Sequence, residues 1–288
     1  MIQTRARYTV TATPELPVGE LLRGRTALDA AETLPRLFNL CRGAQELGAR
    51  LALGLPTTPD LMQAAHQEAI RDHALKLFIA LPSRLNIGSP ALPQGWQSDA
   101  AAIIRAGFGQ NGVPRRLADF RAFMTSGDGI APLLSTIQTT FANRMADTGL
   151  VPLVSVDTMF KKAPVENSVA GRHADHPLMI QIAENYGYGP LWRTMGRVID
   201  LTRPYPSPRR TAFGTIVSAP RGDYGLRIGI SNGHVTDLTR ITPTDHLLAK
   251  GGVLDRSLAS LTDAGLAPLL LDILDPCIPV TVQEADHA

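Results

Sequence analysis

Cysteine is almost missing from this chain: there are two in 288 residues, Cys41 and Cys277. Two thiols cannot build a disulfide framework. Neither belongs to a Cys-x-x-Cys pair, so a closed zinc site with four ligands at regular spacing is unsupported. Charge of one sign is missing too. Lys and Arg total 28 against 26 Asp and Glu, a formal net charge of +2, and such a balance gives no global field for nucleic acid or anionic lipid. The short basic clusters Lys161-Lys162 and Arg209-Arg210 read as solvated surface. The longest apolar tracts, such as "LAPLLLDIL", are far too short to span a bilayer. The opening stretch "MIQTRARYTVTATPELP" has no apolar core of a secretory signal. The expectation is a cytoplasmic chain whose thiols stay reduced. No P-loop and no Gly-x-Gly-x-x-Gly follows a strand, and no Gly-x-Ser-x-Gly elbow is present.

What is present is an ordinary globular composition, 44% hydrophobic and 19% charged. The length allows one large domain or two smaller ones. The reading adopted is a single α+β domain over 1–288, with a helical part at about 20–201 and a hairpin and C-terminal helix part at about 211–288. "RARYTVTA" alternates like a strand before Pro14 and Pro17 interrupt it. Leu34, Leu37, Phe38, Cys41, Ala44, Gly48, Leu51 and Leu55 recur at spacings of three and four, which predicts one helix over 34–55 ended by Pro56. Thr58-Pro59-Asp60 is a start signal: a cap, a proline at the first position and an acid at the positive end. That helix is expected to reach Leu81. Shorter helices are predicted near 98–107, 115–124 and 129–146, an irregular stretch over 147–175, and helix again over 176–201, broken at "NYGYG". "RPYPSPRR" is an extended connector. Then "TAFGTIVSAP", "YGLRIGI" and "HVTDLTRI" read as strands of a small antiparallel sheet, the last two joined at Asn232-Gly233, a hairpin signal. A helix over about 256–272 leads into "DPC", where Pro276 stops it.

Each candidate for chemistry has a plain alternative. Cys41 on an apolar stripe reads as a small buried hydrophobe; Cys277 reads as part of a tucked-in tail. His66 and His73 are seven apart, a rise of roughly 10 Å on a helix, too far for one metal at about 2 Å from each. His173 and His176 could supply half of an ion site, with exposed surface histidines as the default. His234 falls in the hairpin turn and His287 in the tail, both expected to be exposed. Ser218, His246, Asp237 and Asp245 assemble a hydrolase triad only on paper. Arg221, between Pro220 and Gly222 at a tight strand-to-strand bend, offers fixed donors to an anion or is simply an exposed turn residue.

Taken in order, several stretches resemble one family. Arg36 and Cys41 in "PRLFNLCRGAQ" match the Arg and second Cys of an Arg-x-Cys-Gly-x-Cys-x-x-x-His motif. Phe38 stands at the first Cys position and Gln45 at the His position. Asp275-Pro276-Cys277 matches the start of Asp-Pro-Cys-x-x-Cys-x-x-His, with Val280 and Gln283 at the later Cys and His. Glu166 to Arg172 is similar to a Glu-Thr-Gly-x-x-Ala-Arg stretch, Ala219-Pro220-Arg221-Gly222 to Ala-Pro-Arg-Gly, and Pro243-Thr244 to Pro-Thr-Thr. These are motifs of the large subunit of nickel–iron hydrogenases. With one cysteine kept from each pair, the chain resembles the HupK/HoxV-type hydrogenase assembly proteins, over residues 18–283.

The resemblance implies a reduced large-subunit-like fold: a helical bundle core, including helices 34–55 and 59–81, beside the small sheet. It implies a non-catalytic scaffold on which Cys41 and Cys277 hold an iron centre with cyanide and carbonyl ligands, without a complete nickel site. Arg221 would face a cyanide nitrogen and Thr244 would add a hydroxyl donor. With Gln283 at the terminal His position, cleavage by a maturation protease is not expected. The implied partners are a HypC-type small carrier chaperone and the hydrogenase large-subunit precursor, with neither nucleic acid nor membrane. Two other readings stand beside it: a metal-free interaction chaperone imitating the large subunit, and a thiol or serine enzyme.

Overall fold

The computed structural model describes residues 2–5 and 7–285. The chain begins with β1 (Ile2–Arg5) and β2 (Tyr8–Ala12), then α1 (Val18–Leu22) and α2 (Ala27–Thr33). Leu34–Leu37 forms a 3-10 turn before α3 (Arg42–Ala52). The single helix expected over 34–55 is therefore two elements. Phe38 leaves the helical region (φ −130°, ψ 147°) and Cys41 sits in the left-handed region (φ 57°, ψ 35°), so the apolar spacing runs across a corner. A non-glycine residue held there costs on the order of 1–3 kcal/mol. The start signal at Thr58 works as read: its hydroxyl accepts from the amide of Leu61 and opens α4 (Pro59–Leu75). One π-helical stretch, Lys76–Ala80, links α4 to α5 (Leu81–Arg84), ending near the expected Leu81.

Next come α6 (Ala100–Phe108), α7 (Leu117–Ser126) and α8 (Ala131–Thr140). The last is shorter than the 129–146 expected, because Asn143, Arg144 and Ala146 all take positive φ. The stretch read as irregular holds α9 (Val156–Met159) and α10 (Val169–Arg172), each opened by a serine cap. Then α11 (Pro177–Tyr186) and α12 (Pro190–Asp200) follow, broken at Gly187 as expected. Every residue of α12 from Pro190 to Ile199 is buried, including Arg193 and Arg197. It packs on α8, α10, α11 and α15 (Ala267–Leu274).

The predicted sheet is present as β3 (Arg209–Thr211), β4 (Gly214–Ala219), β5 (Gly222–Ser231) and β6 (His234–Ile241), antiparallel in that order. Asn232 and Gly233, both at positive φ, make the β5–β6 turn. The helix expected over 256–272 is interrupted. After α13 (Pro243–Leu247), α14 (Val253–Ala259) stops short; Asp263 then caps a 3-10 turn and Pro268 opens α15. A second sheet, β1-β2-β7, was not expected: the tail returns as β7 (Val280–Glu284) beside β2. The apolar alternation Val280, Val282 carries that strand, and both side chains pack on the main core.

That core gathers Trp192, Phe78, Leu134 and Leu270, while a second packs α3 against the four-stranded sheet through Leu47, Val217, Tyr224 and Leu226. Among the described residues no helix is long and apolar enough to cross a membrane. The crossing of α12 and α10 depends on glycine: a Cβ on Gly196 would fall 2.4 Å from Ala170 Cα. Substituting Gly196→Val forces backbones apart. A loss of about 1–3 kcal/mol or more is expected, seen as a lower Tm in thermal denaturation; an unchanged Tm would contradict this packing.

Candidate functional site

The two ends of the chain meet at one cleft. Cys41, at the corner before α3, and Cys277, just beyond α15, both line a cavity of about 280 Å3, together with Arg221 and Thr244. Arg221 is presented by the Pro220-Arg221 turn between β4 and β5, where Ala219 pairs with Gly222. Gly222 is required there, since its φ is +147° and a Cβ would lie 2.0 Å from the Asn167 carbonyl oxygen. The alternative of an exposed Arg221 is wrong. Its side chain is about nine-tenths buried, because two carboxylates receive it: Nη2 is 3.1 Å from Asp72 Oδ1, and Nε 3.0 Å from Asp275 Oδ2. Its Nη1 is thereby aimed at Cys41 Sγ, 3.7 Å away.

Cys41 is held by backbone geometry, with its side chain free of capping duty. The first amides of α3 are satisfied instead by Glu68 of α4, whose carboxylate accepts from Arg42 N (2.7 Å) and Gly43 N (3.1 Å). On the other wall, the Cys277 amide donates to Thr244 Oγ1 (2.8 Å), and its thiol lies 4.0 Å from Thr242 Oγ1. Thr242 in turn donates to Asp245 (2.7 Å), closing the capping box of α13. The Thr244 oxygen, expected as a donor to a ligand, thus already accepts the Cys277 amide, leaving its own proton to give.

Behind Arg221 runs a buried lattice of charge. Asp72 also accepts from Arg197 (2.9 Å), and Asp275 accepts from Arg197 (2.6 Å) and Lys76 (2.9 Å). His73 lies between Arg197 (3.1 Å) and Asp200 (2.9 Å); Asp200 also meets His173 (2.6 Å) and Arg172 (3.1 Å). Burial would raise the Asp275 carboxyl. Arg197, Arg221 and Lys76 overcome that and hold it down at about 2. The Cys41 thiol is pushed up to about 12 by burial, only partly offset by Arg221 and reinforced by Glu68 and Asp72.

The remaining candidates do not join this site. His66 is half-buried with its ring 5.4 Å from that of Tyr205, whereas His73 is buried in the charge lattice. His173, expected at the surface, is buried because Asp200 takes its Nε2. His176 caps α11, accepting from Leu178 N. Among the described residues no group of three or more His, Cys, Asp or Glu side chains is arranged to hold a metal ion. Ser218 donates to Asp223, while His246 is wholly buried against Asn167 and the Lys161 carbonyl, so no triad forms. His234 is exposed. His287 lies outside the described residues. Lys162 of the basic pair meets Glu15 and Asp245.

The positions where the motifs degenerate are informative. Phe38 carries the Arg240 guanidinium over its ring at 4.3 Å. Gln45 donates to the Leu40 carbonyl (2.9 Å), leaving its Oε1 buried without a partner. Val280 and Gln283 are strand residues, opposite Ala12 and Thr9. Sequence reasoning missed Asp72, Lys76, Arg197 and Arg240. The first two lie four apart, across the junction of α4 with the π-helical stretch, and so share a face, as do Arg193 and Arg197 on α12; that was the available signal.

Solved structures with the same architecture include an oxygen-pressurised variant of the NiFeSe hydrogenase of Desulfovibrio vulgaris Hildenborough (TM-score 0.57, 11% identity, 94% of this chain and 95% of that one). The anaerobically purified NiFeSe hydrogenase of Dm. baculatum is similar (TM-score 0.56, 11% identity, 93% and 95%). The fold is that of the nickel–iron hydrogenase large subunit, in an α+β form with small antiparallel sheets. No protein-family model matches the chain. It is, however, 46% identical over 290 residues to the hydrogenase expression/formation protein HupK of Rhodobacter capsulatus, covering 98% of this chain and 95% of that one. The chain belongs to the HupK family, a degenerate paralogue of the large subunit.

Two measurements check the electrostatics. Because folding depresses Asp275 from an ordinary value near 3.8 to about 2, its contribution is complete only above about pH 5 and fades as pH falls through 3.8 toward 2. Asp275→Asn is expected to cost about 3–5 kcal/mol at pH 7, leaving Arg197 and Arg221 short of a counter-charge, and to flatten the acid dependence of urea denaturation between pH 5 and 3. An unchanged acid slope would refute the depression. Separately, a thiol near 12 leaves little thiolate at pH 8, so iodoacetamide should label Cys41 roughly a hundredfold or more slower than free cysteine, read by mass spectrometry; labelling at the free rate contradicts it.

Proposed function

We propose that the protein is a non-catalytic scaffold in hydrogenase maturation. In this reading it transiently holds an iron centre with cyanide and carbonyl ligands on Cys41 and Cys277 and passes it to the large-subunit precursor. The observation that supports this most is the convergence of both thiols and one buried guanidinium on a single cleft. Thiolates suit low-valent iron. Two of them leave the remaining coordination positions to ligands the metal brings along. Arg221 is pre-aimed, so its charge-assisted donor would meet a cyanide nitrogen at little ordering cost. Loading displaces the Cys41 proton, since a metal-bound thiol is deprotonated. The same protonation cost limits how tightly iron is kept, which favours release.

Membership of the HupK family supports a place among hydrogenase formation proteins. The reading puts that work in the cytoplasm, where both thiols would stay reduced. A HypC-type carrier as donor follows from the resemblance of the motifs. The metal-free alternative draws on the whole-chain likeness to the hydrogenase fold. Infrared absorption of protein purified anaerobically with its assembly partners separates the two. Cyanide and carbonyl stretching bands are expected in the wild type and absent from Cys41→Ala and Cys277→Ala. A wild type without bands leaves only the imitation of the large subunit.

A further inference from the structure

Arg240, near the end of β6, is a basic group that the scaffold reading leaves unassigned. It lines the cleft of the two cysteines and also the adjoining cavity of about 480 Å3 that reaches Cys277 from the other side. Its guanidinium stacks on Phe38 at 4.3 Å and on Tyr224 at 5.5 Å. Phe38 is the position at which a thiolate is missing, so a cation stands beside one of the two places where a thiolate has been lost. No carboxylate pairs with Arg240 among the described residues, in contrast to Arg221, which meets both Asp72 and Asp275. Its Nε is buried with no hydrogen-bond partner. So is the hydroxyl of Tyr224, a residue only 3% exposed that also lines the cleft. Tyr224 feels the charges of both Arg240 and Cys41, and its hydroxyl lies close enough to the Arg240 guanidinium to interact with it directly.

A guanidinium that no carboxylate pairs with, lining both cavities beside a buried tyrosine hydroxyl, defines a place for an anion. We infer that Arg240, stacked on Phe38 and flanked by Tyr224, is the specificity-determining residue of the cleft: it receives an anionic, cyanide-bearing cargo and disfavours a bare divalent metal ion. The inference rests on the scaffold reading for the identity of the cargo. Thiolates and cyanides together carry more negative charge than a ferrous ion cancels, so the loaded centre needs a counter-cation. A bare Ni2+ entering the same space would meet a fixed like charge at short range, where repulsion in a partly desolvated site amounts to tenfold or more in affinity. Arginine suits this position because stacking fixes its plane and its charge cannot be shed.

The test uses the full-length, reduced, metal-free protein under anaerobic conditions, titrated with Ni2+ alone by calorimetry. Three proteins are compared, namely wild type, Arg240→Gln and Arg240→Lys, each checked for an unchanged circular dichroism spectrum and Tm. Arg240→Gln is expected to bind Ni2+ about tenfold tighter than wild type, and Arg240→Lys, which keeps the charge, to stay within about threefold of wild type. Equal binding in all three, or a lysine variant behaving like glutamine, overturns the inference. Should Arg240→Gln misfold, Arg240→Met, which keeps an unbranched stem over the ring, takes its place with the same expectation. In co-purified protein, Arg240→Gln should also lower the cyanide band intensity per protein at least threefold. Undiminished bands would overturn the anion-receiving half. A wild type without bands would sink the scaffold reading, while the nickel comparison would still decide the exclusion.

Discussion

The arrangement on which everything else depends is the pair of carboxylates, Asp72 and Asp275, shared between Arg197 and Arg221. It joins four distant parts of the chain: the last turn of α4, the buried helix α12, the β4–β5 turn and the end of α15. Each charge is largely withdrawn from water, so leaving any one of them unpaired is costly. The five side chains, Lys76 included, therefore depend on one another for charge balance. Once assembled, the set leaves one guanidinium nitrogen pointing at Cys41, with no further freedom. The cleft is thus a by-product of satisfying buried charge.

Much of this was legible in the sequence, for physical reasons. Proline-opened and capped helices announce themselves through local chemistry, as at Thr58-Pro59-Asp60, and Asn232-Gly233 marks a turn because both residues accept positive φ. The union of Cys41 with Cys277 and Arg221 followed from motif resemblance and could not have come from periodicity. The misreadings are of one kind. The apolar spacing over 34–55 spans a corner, since Phe38 and Leu47 face one core from different elements. Side-chain spacing reports which residues face inward and says little about the backbone between them. Buried charge was invisible for a related reason: Arg197 on α12 looks like a surface residue until α4 and α15 supply its partners.

The altered motif positions divide into two groups. Val280 and Gln283 have been absorbed into a strand, where an alternating pattern and backbone hydrogen bonds give them ordinary structural work. Phe38 and Gln45 remain at the cleft, one beneath a cation and the other with an unmet acceptor. Loss of the second thiolate pair thus left a remodelled polar wall on one side and a closed seam on the other.

The seam has a mechanical meaning. Beyond Cys277 only Ile278 and Pro279 intervene before the tail zips onto β2, and the Thr13 amide grips the Pro279 carbonyl at 3.0 Å. Swinging the terminal segment outward would peel a ladder of backbone bonds and lift Val280 and Val282 off the core. The sulfur of Cys277 can turn about its own χ1 without disturbing any of this. The Cys277 sulfur is therefore carried by one short side chain on an anchored main chain, with β7 acting as a hem rather than a door.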